Sequence, residues 1–119
     1  MSYIFDAGEE TVWSPALRVG KVYLSLRRST SDLLGLPTGV VEVSGDICEI
    51  DVEVFESLTR RMFEEYFVSS HVVYRDLMGG VLSASAVMLE RSGGALTASS
   101  AEEREFLDRA CLMGKSMLA

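Results

Sequence analysis

The feature that most constrains the fold is a stretch of thirteen uncharged residues from Leu77 to Leu89. It lies in segment 71–91, where apolar residues occupy nearly every side of a helical projection, and such a helix must be surrounded by other elements. A membrane span needs about 20 apolar residues, whereas this stretch is shorter and contains two glycines and two serines. We therefore predict a central core helix over 71–91 and no membrane span. Its small residues leave open a side that faces a partner or a second copy.

The first predicted helix has signals at both ends. Ser14 and Pro15 match a cap and a first helical position, which predicts a helix over 15–34 that ends at Gly35 before Pro37. The predicted apolar face consists of Val19, Tyr23, Leu26 and Leu33. The helix is thus expected to be amphipathic, with one basic flank.

Two further helices are predicted from their caps and periodicity. Asp51 can cap a helix whose apolar side carries Phe55, Leu58, Met62 and Tyr66. Ser100 and Glu103 form a capping box at the start of a helix over 101–117. The apolar face of this last helix carries Phe106, Leu107, Ala110, Met113 and Met117. Four helices with short connections favour a small bundle.

Two segments without helical periodicity favour extended structure. Residues 3–13 contain two short β-prone pieces around a DAGEE turn, which indicates a hairpin. Residues 40–50 alternate apolar and polar side chains before a break at Ser44-Gly45-Asp46, and they fit either a second hairpin or an extended crossover. The predicted fold is a mainly α single domain over 1–119, a small four-helix arrangement with short β-like N-terminal and middle segments.

The acidic balance narrows the class of partners. Eighteen acids against eleven bases give a net charge of −7, which opposes the phosphates of nucleic acids. The N-terminus, MSYIFDAGEE, lacks the basic and apolar regions of a secretory signal. Cys48 and Cys111 belong to no paired motif, as expected of free thiols in a reducing compartment. We expect a cytoplasmic protein that does not bind nucleic acid.

Motifs for metals and cofactors are incomplete in this chain. With His71 as its single histidine, it cannot supply the paired His or Cys ligands of a zinc site. Gly114-Lys115-Ser116 resembles the end of a phosphate-binding loop, but that pattern needs a glycine where Arg109 stands. The acidic residues do not follow the spacing of a calcium loop. We therefore expect no metal and no cofactor.

A few polar residues could serve a cofactor-independent enzyme. The candidates are His71, Tyr66, Tyr74, Glu49 and Asp51. His71 at a helix start and Asp51 at a cap have ordinary structural roles as alternatives. Catalysis would require at least two of these side chains to meet in a pocket between helices.

An acidic run and one tryptophan are the main indications of protein binding. Six carboxylates with no base among them fall in residues 42–56, namely Glu42, Asp46, Glu49, Asp51, Glu53 and Glu56. Such a run complements a basic partner and speeds association, although it is usually a solvated face. Trp13, near Tyr3 and Phe5, fits either an anchor for another protein or a residue that closes the core.

The strings YIFDAGEETVWSPALRVGKVYLSL, GLPTG and CEIDVEVFESLT resemble a family of small acidic actinobacterial proteins classed as a domain of unknown function. The similarity covers most of the first ninety residues. The matching positions are Asp6, Gly8, Trp13, Pro15, Gly39, Cys48 and Asp51. The resemblance implies a bacterial, cytoplasmic, stand-alone domain, and it implies no activity, cofactor or catalytic residue.

The functional prediction rests on the acidic run and on uncovered apolar surface. We expect stoichiometric binding to another, basic protein, as an inhibitor, immunity, regulatory or accessory factor. The core helix offers more apolar surface than three short helices cover, which predicts a homodimer. The alternative is a small metal-free, cofactor-independent enzyme or a small-ligand-binding protein with a pocket between helices.

Overall fold

Two β-hairpins and four helices make up the chain, and the computed structural model describes all of residues 1–119. The first hairpin and its helix are β1 (Ile4–Ala7), β2 (Glu10–Trp13) and α1 (Leu17–Leu34). The second hairpin and its helix are β3 (Val40–Ser44), β4 (Ile47–Ile50) and α2 (Val52–Val68). The chain continues with α3 (Val72–Arg91) and α4 (Ala101–Gly114).

The two hairpins join into one four-stranded mixed sheet with the strand order β2-β1-β4-β3. Pairing within each hairpin is antiparallel, whereas β1 and β4 are parallel neighbours. The mainly α prediction is therefore wrong, and the fold is α+β. An isolated hairpin is only marginally stable in water, so joining two hairpins side by side provides the additional strand pairing and the shared apolar face that each one lacks. Local sequence patterns contain no signal for this distant pairing.

The covered face of the sheet packs against α1. The ring centroids of Phe5 and Trp13 are 5.7 Å apart, and those of Trp13 and Tyr23 are 5.5 Å apart. Gly20 lies against Tyr3, and a Cβ at position 20 would overlap the Tyr3 ring. The glycine therefore lets α1 approach the sheet closely.

α1 buries a different side from the one that its apolar spacing predicts. Of the predicted face only Tyr23 is buried, whereas Val19, Leu26 and Leu33 are 51%, 42% and 65% exposed. The buried side consists of Gly20, Tyr23, Leu24, Arg27 and Thr30. The prediction is wrong because a glycine and an internally hydrogen-bonded arginine occupy the side that faces the core. Four apolar side chains of α1 consequently point outward, and they are Val19, Val22, Leu26 and Leu33.

Arg27 is completely buried and connects three helices. Its Nη1 donates to Thr59 Oγ1 at 2.8 Å and to Ser85 Oγ at 3.0 Å. Its Nε and Nη2 donate to the carbonyl oxygen of Thr38 at 3.0 and 2.8 Å, and Nη2 also donates to that of Phe55 at 2.9 Å. Burial lowers the pKa of this guanidinium. Nη1 also donates to Met62 Sδ at 3.6 Å. Since every partner is a neutral oxygen or sulfur, Arg27 acts as a hydrogen-bonded crosslink and not as half of an ion pair.

Two other arginines hold the ends of helices. Arg75 donates to three backbone carbonyl groups at the C-terminal end of α2, where such groups have no partner within the helix. Arg91 donates to the carbonyl oxygens of Val12, Gly114 and Met117 at 2.9, 2.9 and 2.6 Å. Arg91 thereby joins β2 to the C-terminal end of the chain.

α3 is a core helix in its C-terminal half only. From Met78 to Leu89 most of its side chains are buried, and the helix contacts α1, α2, α4 and β2. Val72, Val73 and Leu77 are 70%, 57% and 70% exposed, so the predicted burial on all sides is wrong for the first two turns. By length and composition alone α3 could cross a membrane, and 39% of its most apolar window is buried in this fold.

The predicted caps of α2 and α4 are confirmed, while α1 begins differently. Asp51 accepts from a first-turn amide at 3.4 Å, and Ser100 accepts from the amide of Glu103 at 3.1 Å. The N-cap of α1 is Ala16, which makes no side-chain hydrogen bond, so the predicted start at Pro15 is wrong. α4 also ends earlier than the predicted residue 117.

Candidate protein-interaction surface

The helices cover one face of the sheet and leave the other exposed. Successive side chains of a strand point to opposite faces, so the burial of Phe5 and Cys48 places their neighbours on the uncovered face. Val41 and Val43 on β3 are 60% and 54% exposed. The open sheet face is defined here as Ile4, Asp6, Thr11, Val41, Val43, Ile47 and Glu49.

Two carboxylates lie side by side on the open sheet face. Asp6 and Glu49 are register partners in the parallel β1–β4 pair, and neighbouring strands are about 4.8 Å apart. Thr11 Oγ1 donates to Asp6 Oδ1 at 2.7 Å, which orients that side chain. Neither carboxylate belongs to an ion pair within the chain. Because opposed like charges repel, a positive group placed between them would be favourable.

The sheet contains no basic residue that could offset these charges. Segments 4–13 and 40–50, which hold all four strands and both hairpin turns, contain six acidic residues and neither Lys nor Arg. Because β1 and β4 run in the same direction, Glu9 after β1 and Asp51 after β4 lie at the same end of the sheet. Negative charge is thus concentrated on this face and at this end.

The acidic run over 42–56 does not form one surface. Glu42 forms an ion pair of 2.9 Å with Arg28, on the side of the sheet opposite to Glu49. Asp46 lies in the β3–β4 turn, at the other end of the sheet. The remaining members belong to the start of α2, and they are Asp51, Glu53 and Glu56. Only Glu49 of this run belongs to the open sheet face, where its neighbour Asp6 lies outside the run.

Trp13 lies in the core. Its side chain is 7% exposed and packs against Phe5 and Tyr23. Tyr3 and Phe5 are buried as well. The N-terminal aromatic residues therefore fill the space between the sheet and α1, and Trp13 presents no exposed anchor to a partner.

The five catalytic candidates have separate positions in the fold. His71 Nδ1 accepts from the amide of Tyr74 at 3.3 Å and so caps α3. Asp51 caps the N-terminus of α2, whereas Tyr66 lies near its C-terminus in an aromatic cluster with α4. Burial, followed by a neighbouring carboxylate, raises the pKa of Tyr74. Glu49 lies on the open sheet face, so the structure does not assemble these residues into one pocket.

The two cysteines differ in accessibility. Cys48 is fully buried, and burial followed by the carboxylate of Glu42 raises the pKa of its thiol to about 11. Cys111 is exposed on α4, and both thiols are free. Only Cys111 is therefore accessible to reagents. No group of three or more His, Cys, Asp or Glu side chains comes together as a metal site requires.

A groove of about 410 Å³ lies between α3, α4 and the segment that joins them. Val87, Leu96 and Leu107 contribute to its apolar part, and Cys111 also lines it. Its charged lining consists of Glu90, Arg91, Arg104, Asp108 and Lys115. None of the five catalytic candidates lines the groove. The two helices approach closely at Gly114, where an added Cβ would lie 3.2 Å from Val87, and sequence patterns do not indicate that contact.

Comparison with known proteins places the chain in a family. A model described as "Family of unknown function (DUF6086)" matches residues 1–119. The chain belongs to this family. Neither a search of curated proteins nor a search of solved structures gives a match. The resemblance to a domain of unknown function is confirmed, and the DUF6086 match extends over both hairpins and all four helices.

Most positions that carried the resemblance have structural roles in this DUF6086 domain. Gly8 and Gly39 adopt positive φ values of 64° and 76°, which favour glycine. Gly39 is also buried, as are Trp13, Pro15 and Cys48. Asp51 caps α2. Asp6 differs from all of these, because its carboxylate faces outward from the sheet and serves neither a cap nor the core.

Proposed function

We propose that this protein acts by stoichiometric binding to a basic protein, as an accessory, inhibitor, immunity or regulatory factor, through its open sheet face. The observation that carries the proposal is the pair of adjacent carboxylates, Asp6 and Glu49, on an uncovered face of a sheet without Lys or Arg. A Lys or Arg of the partner would relieve the repulsion between them and form charge-assisted hydrogen bonds with both.

Apolar side chains on the same face supply the other part of such an interface. Val41 and Val43 are more than half exposed, and the register partners Ile4 and Ile47 are partly exposed. Protein interfaces combine an apolar centre with a polar rim. The apolar contacts would provide most of the affinity, while the carboxylates would speed the encounter and fix the orientation of the partner.

The net charge of −7 makes the surface as a whole favour basic partners as well. A field of this sign accelerates association with basic partners, and salt reduces the effect. The same field opposes the phosphates of nucleic acids. Two free cysteines fit a reducing cytoplasm, which we propose as the site of action.

The test is affinity capture from native host lysate with the wild-type chain and two matched variants. Glu49→Lys reverses a charge on the open sheet face, and Glu105→Lys makes the same change on the exposed surface of α4. We expect the wild-type and Glu105→Lys chains to retain a basic protein that rising salt releases. We expect Glu49→Lys, folded by circular dichroism, to lose it.

The captured protein is then purified, and calorimetry measures its stoichiometry and affinity. The proposal requires a 1:1 ratio of captured protein to this chain, and a dissociation constant that Glu49→Lys raises and Glu105→Lys leaves unchanged. Equal binding by Glu49→Lys and wild type contradicts a role for the open sheet face.

The groove between α3 and α4 supports one alternative, the binding or conversion of a small amphipathic molecule. Its volume of about 410 Å³ lies in the range of ligand sites. A thermal-shift screen tests this alternative, because a ligand that binds the native state raises the unfolding midpoint. Maleimide labelling of Cys111 would block the groove and abolish such a shift, whereas unlabelled Cys111→Ser would retain it.

A further inference from the structure

The outward side of α1 carries an apolar seam with heptad spacing. Its apolar members Val19, Val22, Leu26 and Leu33 are 51%, 55%, 42% and 65% exposed, and Ser29 completes the spacing. Alternating steps of three and four residues mark the positions that pack against another helix in a coiled coil. No element of the chain covers these five positions, which are called the α1 seam.

Charged residues flank the α1 seam on one side only. Three exposed residues each precede a seam residue on this flank, namely the charged Arg18 and Asp32 and the uncharged Ser25. Neither Arg18 nor Asp32 forms an ion pair within the chain. On the other flank Tyr23 and Thr30 are buried in the core of their own molecule. One cation and one anion therefore lie on the same flank of the seam, about 21 Å apart along the helix.

We propose that the seam binds a second copy of this chain, with the two α1 helices antiparallel. A two-fold axis near Ser25 places Arg18 of each copy beside Asp32 of the other. The same register packs Val22 of one copy against Leu26 of the other, in the alternation that antiparallel helices require. The surface is thus complementary to itself, as a two-fold symmetric dimer demands.

Other arrangements of two seams leave the charges without partners. In a parallel pair, the residues across from the Arg18 flank are Tyr23 and Thr30, which are buried. An antiparallel pair shifted by one heptad sets Arg18 or Asp32 against Ser25. Only the register centred near Ser25 forms both ion pairs. Because α1 packs on the covered side of the sheet, this contact is independent of the open sheet face.

Charge reversal tests the register. Sedimentation equilibrium of the wild-type chain is expected to show a dimer. Arg18→Asp and Asp32→Arg each replace two attractive pairs by two repulsive ones, which is expected to weaken the dimer about tenfold at low salt. The double variant R18D/D32R restores both pairs and should recover the wild-type dissociation constant to within about twofold. Lys21→Asp, the matched control away from the seam, is expected to leave the constant unchanged.

Two further measurements test the seam and its two-fold axis. Leu26→Glu is expected to give folded monomers, whereas Leu112→Glu, the same change at a 62% exposed site on α4, leaves the dimer intact. With Cys111→Ser as background, Ser25→Cys is expected to crosslink to its counterpart through a short bis-maleimide. Ser29→Cys, displaced from its counterpart along the helix, is not expected to crosslink.

Several outcomes overturn the proposal. They are a monomeric wild-type chain at millimolar concentration, a dimer that survives Leu26→Glu, and a double charge variant as weak as the single variants. A monomer that still captures its partner through Glu49 would leave the proposed function standing while removing this dimer.

Discussion

At the scale of single residues, Arg27 helps to hold the buried side of α1 against α2 and α3. Its donors satisfy the carbonyl groups of Thr38 and Phe55 inside the fold. Arg27→Met keeps the length of the side chain but leaves the carbonyl of Thr38 without its donor, whereas the carbonyl of Phe55 still accepts from Thr59 Oγ1. At about 1–3 kcal/mol for one buried group left unpaired, the free energy of unfolding in urea should fall by about 1–3 kcal/mol. The neighbouring control Arg28→Met removes only an exposed ion pair and should cost less than about 1 kcal/mol. Equal losses in the two variants would contradict this role of Arg27.

The Cys48 thiol makes the stability of the folded chain depend on pH. Its pKa is about 11 in the folded chain against an ordinary value of 9.0. The folded state therefore holds this proton more tightly, and its contribution to stability, present below pH 9, is lost as pH rises to about 11. The loss is at most about 2–3 kcal/mol. Burial also raises the pKa of Tyr23, so this residue likewise contributes stability that is lost at high pH.

We therefore predict that Cys48→Ala loses less stability between pH 9 and 11 than the wild type does, as measured by urea unfolding. Parallel pH curves for the two chains would refute it.

At the scale of elements, the pairing of β1 with β4 creates both the sheet and its acidic face. Glu49→Gln removes the repulsion with Asp6 and should raise the free energy of unfolding by about 0.2–1 kcal/mol, while weakening the binding of a basic partner. Glu42→Gln is the control, because Glu42 loses an ion pair with Arg28 instead of a repulsive neighbour. Thermal unfolding of the three chains measures the difference. A fall in stability for Glu49→Gln would show that these carboxylates do not oppose each other.

Sequence patterns predicted the elements better than their arrangement. Helix caps depend on residues a few positions apart, so Asp51 and Ser100 could be identified as caps from sequence. The parallel β1–β4 pair depends on residues far apart in the chain. No local sequence pattern therefore shows that Asp6 and Glu49 are neighbours in the sheet. Periodicity also failed for α1, because it treats Arg27 as a surface residue. The candidate site was therefore predicted only in part, through Glu49.

At the scale of the whole molecule, the two ends of the chain are joined in one packed unit. The amide of Ser14 donates to the carbonyl oxygen of Leu118 at 2.8 Å. Arg91 donates to the carbonyl groups of both Val12 and Met117. Trp13, the single tryptophan, lies between the sheet and α1 next to this junction. A substitution that destabilises the C-terminal end should therefore change the unfolding transition that is measured by Trp13 fluorescence.

Met117→Ala tests this coupling between the two ends. Met117 is 5% exposed, and truncation of a buried methionine costs about 2–5 kcal/mol. Because a small domain unfolds cooperatively, the unfolding midpoint should fall equally when followed by Trp13 fluorescence and by far-ultraviolet circular dichroism of the helices. Leu118→Ala, at a 73% exposed position, should change stability by less than about 0.5 kcal/mol. A fluorescence midpoint that stays at the wild-type value while the helical signal shifts would mean that the N-terminal hairpin unfolds separately. The sheet and the helices would then not form one cooperative unit.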